Sequence, residues 1–179
     1  MEVLQEIKII KGDITTVQAD AIVNAANNAL LPGAGVCGAI HRAAGIELAD
    51  VCRLIGHCDT GDAKITKGFR LPARFVIHTV GPVWKGGHQN EEELLASCYR
   101  SSLELAMDHN LKSIAFPNIS TGIFGFPKDL ACEIALETVI AQLMNIVDLD
   151  TVYFVCFDEE NYQIYLDKFN KLNDLIHNR

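Results

Sequence analysis

Apolar residues recur along this chain in two rhythms, short continuous runs and longer stretches at helical spacing, and the two alternate from end to end. Ile7 to Ile10 predicts a strand closed by Gly12-Asp13. Ala21 to Val23 predicts a second, which runs straight into a loop from Asn24 to Gly35. Val36 to Ala44 reads as a helix with Gly45 in the position just past its end, and Ile46 to Ile55 as another stopped by Gly56. Ala63 to Thr66 and Phe75 to Val80 are strand-like, the second ended by Gly81-Pro82. Asn90 is placed to cap a long helix whose first turn carries Glu91, Glu92 and Glu93, where the helix dipole favours negative charge. Leu94, Leu95, Cys98, Tyr99, Ser102 and Ala106 mark its inner stripe.

Ser113 to Phe116 is a strand that empties into Pro117 to Phe126, and Pro127 suits the first turn of the next helix. Ile134, Leu136, Ile140, Leu143 and Val147 supply that helix's apolar side. Thr151 to Phe157 is a near-continuous apolar run, as expected of a strand covered on both faces. Residues 159–176 finish as an amphipathic helix. Strands alternating with helices predict an α/β fold, a mostly parallel or mixed sheet with helices on both faces. Ligands of such sheets sit beyond the carboxyl ends of the strands, where Asp13, Asn24, the loop 118–126 and Phe157 all fall.

Composition narrows the picture. A chain of 179 residues, 49% hydrophobic and 21% charged, fits one globular domain spanning 1–179. No apolar run approaches the roughly 20 residues that span a bilayer. The first residues, Met1 to Glu6, lack the basic and apolar regions of a signal peptide, so the expected compartment is the cytoplasm. The six cysteines (37, 52, 58, 98, 132, 156) accordingly read as reduced, buried thiols. A formal net charge of −8 argues against general nucleic-acid binding, which needs clustered Lys and Arg. A phosphorylated ligand would have to be held locally, by aimed backbone N–H groups.

Two loops offer such groups. Asn24-Ala25-Ala26-Asn27 is followed by Pro32-Gly33-Ala34-Gly35-Val36-Cys37-Gly38-Ala39-Ile40-His41, a glycine-containing loop that opens a helix. Glycines there let a backbone approach a ligand closely, and a helix start points N–H groups at an anion. The second, Asn118 to Pro127, combines glycines, hydroxyls and an aromatic between a strand and a helix. Facing each other, two such loops would clamp two phosphates; each alone is equally well a tight turn.

Gly12-Asp13-Ile14-Thr15, Val23 to Asn27, Gly33 to Gly45, His78 to Pro82 and Ser120 to Pro127 resemble the motifs of macrodomains, in the same order and over essentially the whole chain. The resemblance is closest to the MacroD-type branch, which includes bacterial stand-alone O-acetyl-ADP-ribose deacetylases. It implies a three-layer α/β/α fold, and no cofactor is expected. The implied partners are ADP-ribose, O-acetyl-ADP-ribose or ADP-ribosylated protein. Asp13 and the Ile14 backbone would take the adenine, with Phe157 packed on it. Gly33, Gly35, Val36 and the backbone of Ser120, Thr121, Gly122, Ile123 and Phe124 would hold the diphosphate. Phe124 would face the distal ribose, and Asn24 and Asn27 would bond it or order the loop. His41 would order the catalytic loop or be a packed helical side chain.

The chain departs from the MacroD pattern at Ala34, where those enzymes carry Gly, and at Cys37. Cys37 stands where those enzymes carry an Asp proposed to orient or activate the attacking water. Alphaviral macrodomains, which include ADP-ribosyl hydrolases, resemble this Gly-Val-Cys loop more closely. The implied activity is therefore hydrolysis of ADP-ribosyl esters, with Asn24, Asn27, Cys37 and His41 as the catalytic candidates and a water held by the loops and the substrate phosphate. The alternative is a non-catalytic ADP-ribose reader. Cys37 and His41 also echo a metal-ligand spacing, but no further ligand is identifiable.

Overall fold

Parallel strands cannot be joined by tight turns, so each crossover must carry a longer connection over a face of the sheet. A computed structural model, which describes residues 2–178, shows six strands obeying that constraint. They are β1 (Ile7–Lys11), β2 (Ala21–Ala25), β3 (Ala63–Lys67), β4 (Phe75–Thr79), β5 (Ser113–Phe116) and β6 (Thr151–Cys156), in the order β1-β6-β5-β2-β4-β3. Every neighbouring pair is parallel except β3 and β4, whose short link closes when the Gly68 N–H donates to the Arg74 carbonyl. The helices are α1 (Gly35–Ala44), α2 (Ile46–Ile55), α3 (Glu91–Asp108), α4 (Lys128–Leu143) and α5 (Glu159–His177).

Side-chain alternation along the strands sorts the apolar residues into two cores. On one face Val23, Ile77, Phe116 and Phe154 meet α3, α4 and α5 through Leu95, Tyr99, Leu136 and Tyr165. On the other, Ile22, Val76, Ala115 and Val155 meet α1 and α2 through Ile40, Ala44, Leu48 and Cys52. This is the three-layer α/β/α arrangement with a mixed, mostly parallel sheet. All six cysteines are buried free thiols. Among the described residues no helix is long and apolar enough to cross a membrane.

The structure differs from the sequence pattern at a few helix ends. Asn90 precedes α3 in the left-handed conformation (φ 64°), and its side chain caps nothing. The Glu91 carboxylate instead turns back on the preceding loop and accepts from the N–H groups of Lys85, Gly87 and Gln89, three donors that a single amide oxygen could not serve. Pro127 stands just before α4 rather than in its first turn. Val147 lies beyond the end of α4 and is 94% exposed, because the chain must leave the helix after Leu143 to return to β6. Ala131, Ala135 and Val139 complete the buried stripe.

Candidate functional site

The carboxyl ends of β1, β2, β5 and β6 open into a cavity of about 840 Å³, within the range of small-molecule sites. At one end lies the turn after β1. Asp13 starts a single 3-10 turn, and its Oδ1 accepts from the Thr15 N–H (2.9 Å) and hydroxyl (2.7 Å). Its Oδ2 keeps its acceptor capacity beside Ile14, which also lines the cavity. Phe157, the first residue past β6, remains 79% exposed on the same cavity wall, the opposite of a core aromatic.

The middle of the cavity is lined by backbone. α1 starts at Gly35, which needs a positive φ of 59°, and neither its cap residue Ala34 nor an acid in its first turn neutralises the orphan N–H groups. Gly33, Ala34, Gly35 and Val36 all line the cavity, so the positive end of the helix dipole faces it. Across from them runs the loop Ser120 to Phe124. Among the described residues, the N–H groups of Thr121, Gly122, Ile123 and Phe124 donate to no protein acceptor. The loop is braced from behind by the Phe126 N–H on the Ser120 carbonyl and by the Trp84 N–H on the Phe124 carbonyl. Trp84 packs on Phe126 at 4.8 Å between ring centres and so supports the loop rather than lining the cavity.

At the far end, Cys37 contributes to the wall although it is only 5% exposed. Its Sγ points its weak donor at the Leu31 carbonyl (3.6 Å) and lies 3.8 Å from the Asn24 side-chain nitrogen. Asn27 spends both ends of its amide on Leu31, donating to the carbonyl (2.8 Å) and accepting from the N–H (3.0 Å). That pairing, with Leu30 driven fully into the core at φ 57°, holds the loop closed.

Asn24 and His41 are placed differently from the other candidates. Both are buried behind Cys37, and neither lines the cavity. β2 alternation turns Asn24 to the same face as Ile22, toward α1, where its amide donates to Nδ1 of His78 on the neighbouring strand at 3.0 Å. An acceptor at Nδ1 requires the hydrogen at Nε2, which faces the Thr66 hydroxyl at 2.9 Å. Burial, and then the adjacent His41, push the His78 pKa down to about 3. Burial lowers His41 as well, and neither of its ring nitrogens has a hydrogen-bond partner. Both imidazoles are therefore neutral near pH 7, and His41 is not paired with the Cys37 thiol as a base. Among the described residues, no three His, Cys, Asp or Glu side chains gather to hold a metal.

Residues 23–135 match the Macro domain family, 113 positions of the 179. The chain belongs to the macrodomain family. It is 58% identical to a macro domain-containing protein of Chlorobaculum tepidum over 89% of this chain and 92% of that relative. It is 52% identical to a Cronobacter turicensis protein named O-acetyl-ADP-ribose deacetylase, over 89% and 93% of the two chains. Among solved structures, an Oceanobacillus iheyensis macrodomain with ADP superposes with a TM-score of 0.90 at 47% identity, covering 94% and 92% of the chains. A Trypanosoma brucei macrodomain in complex with ADP-ribose gives 0.89 at 43% identity, covering 94% of this chain and 71% of that one.

The macrodomain cavity also has walls for which the sequence pattern indicated no ligand role. Arg42, within the motif Gly33 to Gly45, Asn118, within the loop Asn118 to Pro127, and Lys128, Asp158 and Asn161, outside both, all line it. Asp158 caps α5 by accepting from the Asn161 N–H (2.8 Å), which with the Asn161 amide and nearby Lys128 and Lys11 lowers its pKa despite partial burial. His78 does not line the cavity but anchors Asn24. It had two sequence signals, a polar residue set in the apolar run Phe75 to Val80 and its place at the start of the motif His78 to Pro82, but neither gave it a role.

Proposed function

We propose that this macrodomain binds ADP-ribose in the cavity and hydrolyses ADP-ribosyl esters there. The observation that carries the reading is the pairing of two unspent rows of backbone N–H groups, at the start of α1 and in Thr121 to Phe124, across one cavity. A diphosphate between them meets aimed donors and a helix dipole without needing a basic surface. Asp13 and Ile14 take the adenine at one end, Phe157 covers it, and the distal ribose lies toward Phe124 and Cys37. The named activity of the Cronobacter relative supports the same chemistry.

In the proposed reaction a water adds to the ester, the carbon–oxygen bond to the acyl group or acceptor breaks, and a carboxylic acid and ADP-ribose leave. The chain's contribution is orientation and charge stabilisation rather than a covalent intermediate. Cys37 donates to a backbone carbonyl and lacks a histidine partner, which supports water over thiolate as nucleophile. Asn27 holds the loop that leads into α1 and Cys37, while Asn24, His41 and His78 form the support beneath it. O-acetyl-ADP-ribose and ADP-ribosylated Asp or Glu side chains share the required ester.

A second reading, a reader that binds ADP-ribose without turnover, is favoured by one feature. The cavity's carboxylates, Asp13 and Asp158, both come from elements beside β1 and β6, and none comes from the Cys37 loop. Titration with ADP-ribose under calorimetry tests the binding that both readings share. Saturable one-to-one binding is expected, and its absence would remove both.

A further inference from the structure

Charge is distributed unevenly around the cavity. Asp13 and Asp158 stand at the end formed by β1 and β6. The cations in the wall are Arg42 and Lys128. Lys128 is already bound to Glu160 at 2.5 Å, whereas Arg42, among the described residues, has no ion pair. Arg42 belongs to α1 and is exposed, in a chain whose formal net charge is −8.

Its guanidinium lies against a glycine of the same helix. A Cβ built on Gly38 would come within 3.0 Å of an Arg42 guanidinium nitrogen and 2.3 Å of the Gly33 carbonyl oxygen. The bare Gly38 thus lets the long side chain fold back along α1 beside Gly33, at the mouth of the Cys37 end. Around it the rim is exposed: Pro32, Gly33 and Ala34 are open, and Ile123 is 90% exposed across the cavity. On the proposed placement of ADP-ribose, an acceptor attached to the distal ribose leaves the cavity past this rim.

We infer that Arg42 selects acidic acceptors, so that the favoured substrates are ADP-ribosylated protein segments with carboxylates flanking the modified side chain. The inference rests on the reading of this cavity as an ADP-ribosyl site. A guanidinium forms paired hydrogen bonds with carboxylates, and an exposed one on an acidic protein supplies local attraction where the rest of the surface repels. The acetyl group of O-acetyl-ADP-ribose carries no charge for it to recognise.

The test uses binding, so that it applies to an enzyme and a reader alike. Two peptides carrying ADP-ribosyl-glutamine, whose amide is not the ester proposed as substrate, are compared: one flanked by Glu and Asp, the other by Gln and Asn. Free ADP-ribose is the third ligand. The parent should bind the acidic peptide about three- to fivefold more tightly at low salt, the scale of an exposed ion pair. The preference should fade toward 0.5 M salt through screening, a solution condition set by about a 4 Å Debye length. Arg42→Gln should bind the two peptides equally and Arg42→Glu should reverse the preference, each read as the ratio of the two peptide affinities, in which any shared effect on ADP-ribose binding cancels. Equal affinities in the parent, or a preference that survives Arg42→Gln, would overturn the inference. Failure of the parent to bind ADP-ribose would instead overturn the site reading itself.

Discussion

The side-chain amide of Asn24 donates to His78 at 3.0 Å across two parallel strands, at paired positions of β2 and β4. The bond fixes the amide directly behind Cys37 and requires a neutral imidazole. Protonating His78 would break it. The folded-state pKa of His78 is about 3, below the ordinary 6.5, and His41 is shifted in the same direction. Below about pH 6.5 the unfolded chain therefore takes up protons that the folded chain refuses, and stability falls as pH falls toward 3. His78 contributes a slope of at most about 1.4 kcal/mol per pH unit in that window and nothing above it, and the lowered pKa of His41 acts in the same direction. Urea unfolding between pH 7 and pH 4 should show a shallower loss in His78→Gln than in the parent. Equal slopes would show that His78 protonates freely in the fold.

Asp13→Ala should weaken ADP-ribose binding by about 1.5–3 kcal/mol, the worth of a hydrogen bond to a charged group. The variant also loses the acceptor for the Thr15 N–H and hydroxyl, so Ile14 should loosen with it. Calorimetry reads the affinity. Asp13→Asn, which keeps an acceptor for Thr15, separates lost charge from lost turn. Full affinity in both variants would place the adenine elsewhere.

Gly35→Glu should abolish binding and leave the chain folded. A Cβ at Gly35 meets nothing within 4 Å, so no neighbour is struck, although the φ of 59° adds strain of about 1–2 kcal/mol. The carboxylate would then stand where the diphosphate is proposed to lie. Circular dichroism checks the fold and thermal shift with ADP-ribose checks the site, since a ligand of the folded state alone raises Tm. A folded variant that still binds tightly would remove the phosphate role of this loop.

Gly81→Ala is a subtler test of the second loop. An added Cβ would stand 2.2 Å from the Ser120 hydroxyl oxygen and 2.6 Å from an Ile119 methyl. Ser120 holds a φ of 66°, and its backbone cannot retreat without moving Thr121 to Phe124. The variant should lose about 1–3 kcal/mol of stability, the usual cost of overpacking, and bind ADP-ribose at least tenfold more weakly. Unchanged affinity would mean that the Ser120 loop is not held by its fit against Gly81.

Much of the fold was legible because strand and helix periods alternate cleanly and glycines mark the joints. Gly45 and Gly56 end their helices at positive φ, as their positions suggested. The two glycine-containing loops that line the cavity were legible for the same reason. Helix faces around the cavity were not: Arg42 and Asn161 satisfy helical spacing, but which face of α1 or α5 rims a cavity depends on packing. Asn24 and His41 illustrate the other gap. Both were readable as candidates in one cluster with Cys37, but the contact of Asn24 with His78 behind the thiol comes from β2 pairing with β4, and the burial of His41 from α1 packing on the sheet. Val147 misled because apolar spacing outlasted the helix.

The central claim is hydrolysis by a positioned water with Cys37 as a bystander, and one measurement tests it most directly. O-acetyl-ADP-ribose and a protein mono-ADP-ribosylated on glutamate are incubated separately with the parent and with Cys37→Ala, and released ADP-ribose is followed by chromatography. The account predicts release by both proteins from at least one substrate, with Cys37→Ala retaining most of the rate. Cys37→Asp should match or exceed the parent, since a carboxylate there can accept a proton from the water. Binding without release by any of the three would contradict the account in favour of a reader, and a Cys37→Ala variant that binds ADP-ribose but has lost turnover would show that the thiol itself is the chemistry.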